Sequence, residues 1–363
     1  MPHAMPDPDA PADEPGDGEP AARARGEQPR VDLALQGGGS HGAFTWGVLD
    51  RLLEDGRLDI TGICGTSAGA MNGVALAYGL ARGGPAEARA TLARFWGLVA
   101  ERARYSPVQP TPLDRLVSIG DMNFSPGWLF YDALARMVSP YVANPANINP
   151  LAEVLDQVVD FGWLREHHTV RLFACATNVK SGKIRVFDCS EITAKAIMAS
   201  ACLPFVYQAV EIDGESYWDG GYSGNPTMTP LIEESNARDT ILVQINPVER
   251  PGTPRTARDI LNRLNEVSFN AVLLKELRMM ALLQREAVSG AGEGARWARM
   301  RIHRIASDAM TELGYSSKLN AEWEFLTMLH DEGRRSAEAF YREHRDEIGK
   351  RSTLDLDEFT KGV

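Results

Sequence analysis

The chain has 363 residues, 44% of them hydrophobic, and carries 49 Asp and Glu against 38 Lys and Arg for a net charge of −11. That length supports one large domain or two ordinary ones with a sizeable core. The acidic balance argues against a nucleic-acid binder and against strong adsorption to anionic lipid.

Residues 1–30 hold seven of the 21 prolines and seven Asp or Glu against three Arg, a composition that predicts a disordered acidic tail. "VDLALQ" (Val31 to Gln36) predicts a strand that runs into Gly37, Gly38 and Gly39. The following "HGAFTWGVLDRLLEDG" has apolar residues at helical spacing, with Gly56 as its stop. "DITGIC" (Asp59 to Cys64) predicts a second strand, and a helix follows from Ala68 to Gly83 and Gly84. Further strands are expected at Thr169 to Asn178, Lys183 to Cys189, Ala209 to Asp213 and Thr240 to Asn246. From about Thr256 the pattern is mainly helical, broken by "RWARMRIHRI", which reads as an edge strand. Alternating strands and helices predict an α/β fold with helices on both faces of a mainly parallel sheet.

Cys64, Cys175, Cys189 and Cys202 stand singly with no CxxC spacing, so they are expected as free thiols, and neither a metal nor an organic cofactor is implied. There is no run of 18 apolar residues and no apolar stretch at the N-terminus, so a cytoplasmic location is expected, with peripheral contact at lipid surfaces.

Two glycine motifs compete for the chemistry. Gly37, Gly39 and Gly42 match the dinucleotide spacing GxGxxG, with Asp59 about 20 residues on. That reading fails at the second strand, which ends in "GTSAG" rather than in an acidic residue for a ribose. Gly65, Ser67 and Gly69 form GxSxG between a strand and a helix, the context of a tight turn that lifts a serine out of the backbone. Ser67 is therefore the candidate nucleophile. The amides of Gly37, Gly38 and Gly39 are candidate oxyanion donors, because a glycine-rich loop beside the serine supplies N–H groups at no side-chain entropy cost.

A base is needed for the Ser67 proton. His167, His168, His303, His330 and His344 all follow Ser67, but each sits among charges or at an element junction. Asp219, in "SYWDGGYSGNP", is the stronger candidate, because Gly220 and Gly221 allow a turn that points its carboxylate inward; an isolated Asp-Gly-Gly would read as a hairpin turn.

"QGGGSHGAF", "GTSAGA", "ASACLPF" and "DGGY", in this order, resemble the patatin-like phospholipase family over Val31 to Pro247. The resemblance implies a three-layer α/β/α domain over residues 31–250, followed by a mainly helical extension over residues 251–363. It implies a serine lipid acyl hydrolase using a Ser-Asp dyad, with Ser67 as nucleophile, Asp219 as general base, the Gly37 to Gly39 loop as oxyanion hole, and Gly65, Gly69, Gly220 and Gly221 in support. His41 departs from the Arg or Lys usual in that family and puts a phospholipid headgroup preference in doubt, leaving it either a neighbour of substrate and oxyanion or a packing residue. The expected partner is a lipid or other acyl ester, with transient contact with a lipid surface and no nucleic acid; oligomeric state stays open. A soluble carboxylesterase, an intracellular polyester hydrolase and a non-catalytic lipid-binding regulator on the same fold are the alternatives. Asn123 to Leu134 and Asn270 to Leu283 are two apolar stretches expected mainly to face the core, since large apolar side chains are usually buried.

Overall fold

A computed structural model describes residues 28–286, 290 and 292–361. All but the last three residues of the expected acidic tail lie outside the described residues. The central sheet has eight strands in the order β5-β6-β3-β2-β1-β7-β8, with β4 also pairing with β3. They are β1 (Arg30–Leu35), β2 (Asp59–Thr66), β3 (Arg171–Asn178), β4 (Ile184–Phe187), β5 (Val210–Ile212), β6 (Glu215–Asp219), β7 (Asp239–Val243) and β8 (Arg301–Ile305). The run β3-β2-β1-β7-β8 is parallel, whereas β4 and β6 join β3 antiparallel, so the sheet is mixed with a parallel centre.

Strand periodicity of two divides the core. Val31, Leu33, Leu35 and Ile63 pack on one face, against helix α1 (Gly42–Asp55), helix α2 (Ala68–Ala103) and the helix Trp323–His344. Ala34, Cys64 and Phe173 point to the other face, where Leu273, Leu277 and Met280 of the helix Ala257–Arg285 cover them. This is the expected three-layer arrangement. The part after residue 250 completes both outer layers, and its strand β8 is the edge beside β7.

Local punctuation follows the sequence closely. Gly56 ends α1 with φ 62. Gly83 and Gly84 break the helical backbone inside α2, after which a second helical stretch continues through Pro85. Strand β6 is a departure. The sequence reading left Glu215 to Asp219 without a strand, yet Asp213 and Gly214, at φ 53 and 80, turn β5 back into it. Two successive positive φ values give the tight turn that suits hairpin twist.

The two apolar stretches divide. On the helix Ala257–Arg285, Leu273, Leu277 and Met280 are buried as expected. The helix Pro126–Met137, which carries most of the other stretch, overturns the expectation, burying only Trp128 while Leu129 and Phe130 are exposed.

Candidate active site

Ser67 follows the last residue of β2 and forms the N-cap of α2 at φ 54, ψ −123, a conformation costly for a residue with a Cβ. Its neighbours hold it there. The Ser67 N–H donates to Ser200 Oγ at 2.9 Å, and Ser200 Oγ donates to the Cys175 carbonyl at 2.6 Å, tying the turn to the end of β3. Gly65 and Gly69 leave room for the turn: Gly65 lies against the Gly69 backbone, and Gly69 against the Leu35 carbonyl. No side chain caps the first turn of α2, so its leading amides and their partial positive charge stay available near Ser67.

Asp219 ends β6, where it pairs with Ala176 of β3, next in chain to the Cys175 that pairs with Thr66 of β2. Strand β3 thus lies between β2, which Ser67 follows, and β6, which Asp219 ends. The Asp219 backbone is pinned at both polar groups, its N–H donating to the Cys202 carbonyl at 2.7 Å and its carbonyl accepting from Thr177 Oγ1 at 2.8 Å. Its Oδ1 accepts from Gly221 N–H at 2.8 Å. Gly220 packs against the Cys175 carbonyl and Gly221 against the Phe269 ring, so both glycines admit close approach. Asp219 is 1% exposed. Burial pushes its carboxyl up from 3.8 to about 6, against the opposing pull of the Gly221 amide, a hydrogen bond from the Ser67 side chain and the Lys318 ammonium.

The glycine loop backs directly onto this pair. A Cβ on Gly37 would stand 2.5 Å from the Thr66 carbonyl oxygen and 2.6 Å from Ser67 Cβ. Gly37 is nonetheless not a free donor, since its N–H donates to Asn225 Oδ1 at 2.6 Å. Its carbonyl accepts from Asn246 Nδ2 at 2.7 Å and Asn225 Nδ2 at 3.3 Å. Gly37 is thereby the anchor of the loop, and the amides of Gly38 and Gly39 are left as the candidate oxyanion donors. Gly39 needs its glycine: it has φ 62 and its α-carbon abuts the Lys318 carbonyl. Gly37→Ala is expected to keep the fold and lower kcat about 100-fold, because the added methyl must push the loop away from Ser67. Circular dichroism together with steady-state kinetics checks this.

His41 is buried at the start of α1, its Nε2 2.8 Å from Ser317 Oγ. Burial, with Lys318 and Arg250 nearby, holds its pKa well below the ordinary value, so the imidazole is neutral. The other histidines are engaged elsewhere. His167 and His168 donate from Nδ1 to the carbonyls of Trp163 and Arg165, His303 contacts Asp239, His330 lies beside Asp50 and Asp331, and His344 beside Glu343 and Glu347. All four cysteines are free.

Sequence reasoning missed four residues of this site: Ser200, Asn225, Asn246 and Lys318. The first two lay inside quoted motifs, "ASACLPF" and "GGYSGNP". Asn246 lies just past the end of β7, at the end of the expected strand Thr240 to Asn246. Lys318 had no local signal.

The sequence profile described as patatin-like phospholipase matches residues 33–232. An uncharacterized NTE family protein of Mycobacterium bovis is 31% identical over 251 residues, and one of Mycobacterium tuberculosis aligns equally. The alignment covers 67% of this chain and 58% of those relatives, so the chain spans less than two thirds of their length. Among solved structures, VipD from Legionella pneumophila aligns with 14% identity and a TM-score of 0.34, over 92% of this chain and 79% of VipD. No helix among the described residues is long and apolar enough to cross a membrane. With the family profile spanning more than half of the chain, the protein belongs to the patatin-like phospholipase family.

Proposed function

We propose that the protein is a serine hydrolase of lipid acyl esters working through a Ser67–Asp219 dyad. The observation that carries this reading is a strained serine at a strand-to-helix turn, facing a buried carboxylate whose pKa is raised to about 6. A carboxylate near 4 is a weak base toward an alcohol, whereas one near 6 is ionised at pH 7 and still accepts a proton with less penalty. In the first half-reaction Ser67 Oγ attacks the ester carbonyl carbon as its proton passes to Asp219. The tetrahedral oxyanion is held by the Gly38 and Gly39 amides and the α2 terminus. Collapse expels the alcohol, which takes the proton from Asp219 and leaves an acyl-Ser67. Water, deprotonated by Asp219, then releases the carboxylic acid and restores the serine.

A lipid substrate is supported by the surface beside the site. Leu116, Val117, Ile119, Phe130, Met137 and Val142 are each more than half exposed. Their segment docks near the oxyanion loop: Met122 N–H donates to Ser316 Oγ at 3.0 Å, and the next residue, Ser317, contacts His41. Large apolar side chains gathered on one segment are suited to a lipid surface.

Fatty-acid release from phosphatidylcholine vesicles, set beside hydrolysis of a water-soluble short-chain ester, tests the reading. The double variant Phe130→Asp, Met137→Asp is expected to lose vesicle hydrolysis at least tenfold, since inserting each side chain is worth about 1.5–3 kcal/mol. Its turnover of the soluble ester should stay within about twofold. Wild-type turnover of the soluble ester with none of any lipid would replace this reading with a carboxylesterase.

A further inference from the structure

The geometry points to Lys318 as a cationic positioning residue for this active site, its ammonium held beside the oxyanion loop by Asn246 and balancing the charge that moves between Asp219 and the substrate oxyanion. The inference rests on the Ser67–Asp219 reading above. Lys318 lies outside the residues matched by the family profile. It is half-buried, in a short turn over Ser316–Leu319 whose backbone packs on Gly39. Its Nζ donates to Asn246 Oδ1 at 3.1 Å, and Asn246 Nδ2 donates to the Gly37 carbonyl at 2.7 Å. One amide thus links the ammonium to the loop that abuts Ser67. On its other side Nζ stands 5.7 Å from the Phe269 ring centroid, and Gly221, whose N–H holds Asp219, packs against that same ring.

The charges around Lys318 leave Asp219 as its natural counterpart. Among the described residues Lys318 makes no ion pair within 4.0 Å. Glu266, on the helix Ala257–Arg285, attracts it, but that carboxylate is already clamped by Arg250 and Arg263, and Arg250 repels Lys318. His41 faces it as a neutral ring. Asp219 attracts it and, among the described residues, has no cation of its own bonded to it. Tyr222 and Cys202, which feel the Asp219 charge, have pKa values pushed up by burial and are neutral near pH 7. Burial draws the Lys318 ammonium down to about 8, an electrostatic cost that a neutral or apolar side chain would avoid. A residue whose task was only to fill this space would not need the charge.

The test compares wild type, Lys318→Met and Lys318→Arg in pH profiles of kcat and KM on an uncharged short-chain ester, with Tm recorded for each. Lys318→Met is expected to lower kcat by about 10- to 100-fold with KM little changed. Its acidic limb should move to higher pH than wild type, because losing a nearby positive charge makes the Asp219 carboxylate harder to form. Wild type should lose rate as pH rises through about 8, where Lys318 discharges; Lys318→Arg should keep most of the activity without that decline. A Lys318→Met enzyme with the wild-type limb and kcat would overturn the inference, as would a loss that tracks a fallen Tm without movement of the limb. A defect confined to KM for phospholipids would overturn it too, in favour of a headgroup receptor. Turnover by a Ser67→Ala control equal to wild type would instead refute the underlying dyad, an outcome distinguishable from the others.

Discussion

Asp219→Asn is expected to lower kcat about 1,000-fold or more while the protein remains folded. Asn preserves the shape and can still accept from the Gly221 N–H, but it cannot take the Ser67 proton. The loss therefore falls on the chemical step rather than on binding, and KM should change little. The same substitution has an opposite effect on stability. Holding a carboxyl at about 6 rather than 3.8 costs the folded state up to about 3 kcal/mol when both states are ionised. Because the folded pKa is raised, that cost is absent below pH 4, grows between about pH 4 and 6, and is full above 6. Asp219→Asn should be more resistant to urea than wild type at pH 7.5, with the advantage vanishing near pH 4. Equal activity in Asp219→Asn would move the base to another residue.

Removal of the Ser67 hydroxyl is expected to abolish turnover, with any residual rate close to background. Ala and Gly differ in a second respect. At φ 54, ψ −123 a Cβ is strained, and Ser67→Ala retains it, whereas Ser67→Gly removes it. Both variants should be inactive, and Ser67→Gly should be more stable than Ser67→Ala by about 1 kcal/mol in urea denaturation. Equal stability would mean that the turn is not strained. Ser200 is the native brace for this turn, which is why the nucleophile's own N–H is already committed.

What the sequence reveals here is local. Ser67 stood out because it is flanked by Gly65 and Gly69, Asp219 because Gly220 and Gly221 follow it, and strands β1 and β2 because buried parallel strands are continuous apolar runs. Strand β6 was hidden: "ESYWD" is short, mixed in polarity, and followed by two glycines. The brace of the oxyanion loop was hidden for a different reason. Asn225 and Asn246 bond Gly37 across 188 and 209 residues, and Lys318 reaches the site only because the last part of the chain folds back beside Gly39. No periodicity encodes such a contact. Gly37 shows the limit of motif reading, since the glycine lies beside Ser67 while its amide is bonded to Asn225. Leu129 and Phe130 show a limit of the burial rule, which places large apolar residues inside unless a surface has use for them.

Activation of Ser67 by Asp219 is tested most directly by intact-mass analysis over time with a fluorophosphonate probe. Serine attack at phosphorus expels fluoride and leaves one phosphonyl group on the protein. Wild type should gain a single adduct, Ser67→Ala none, and Asp219→Asn the same adduct far more slowly. Labelling of Asp219→Asn at the wild-type rate, an adduct persisting in Ser67→Ala, or no adduct on folded wild type would contradict the account.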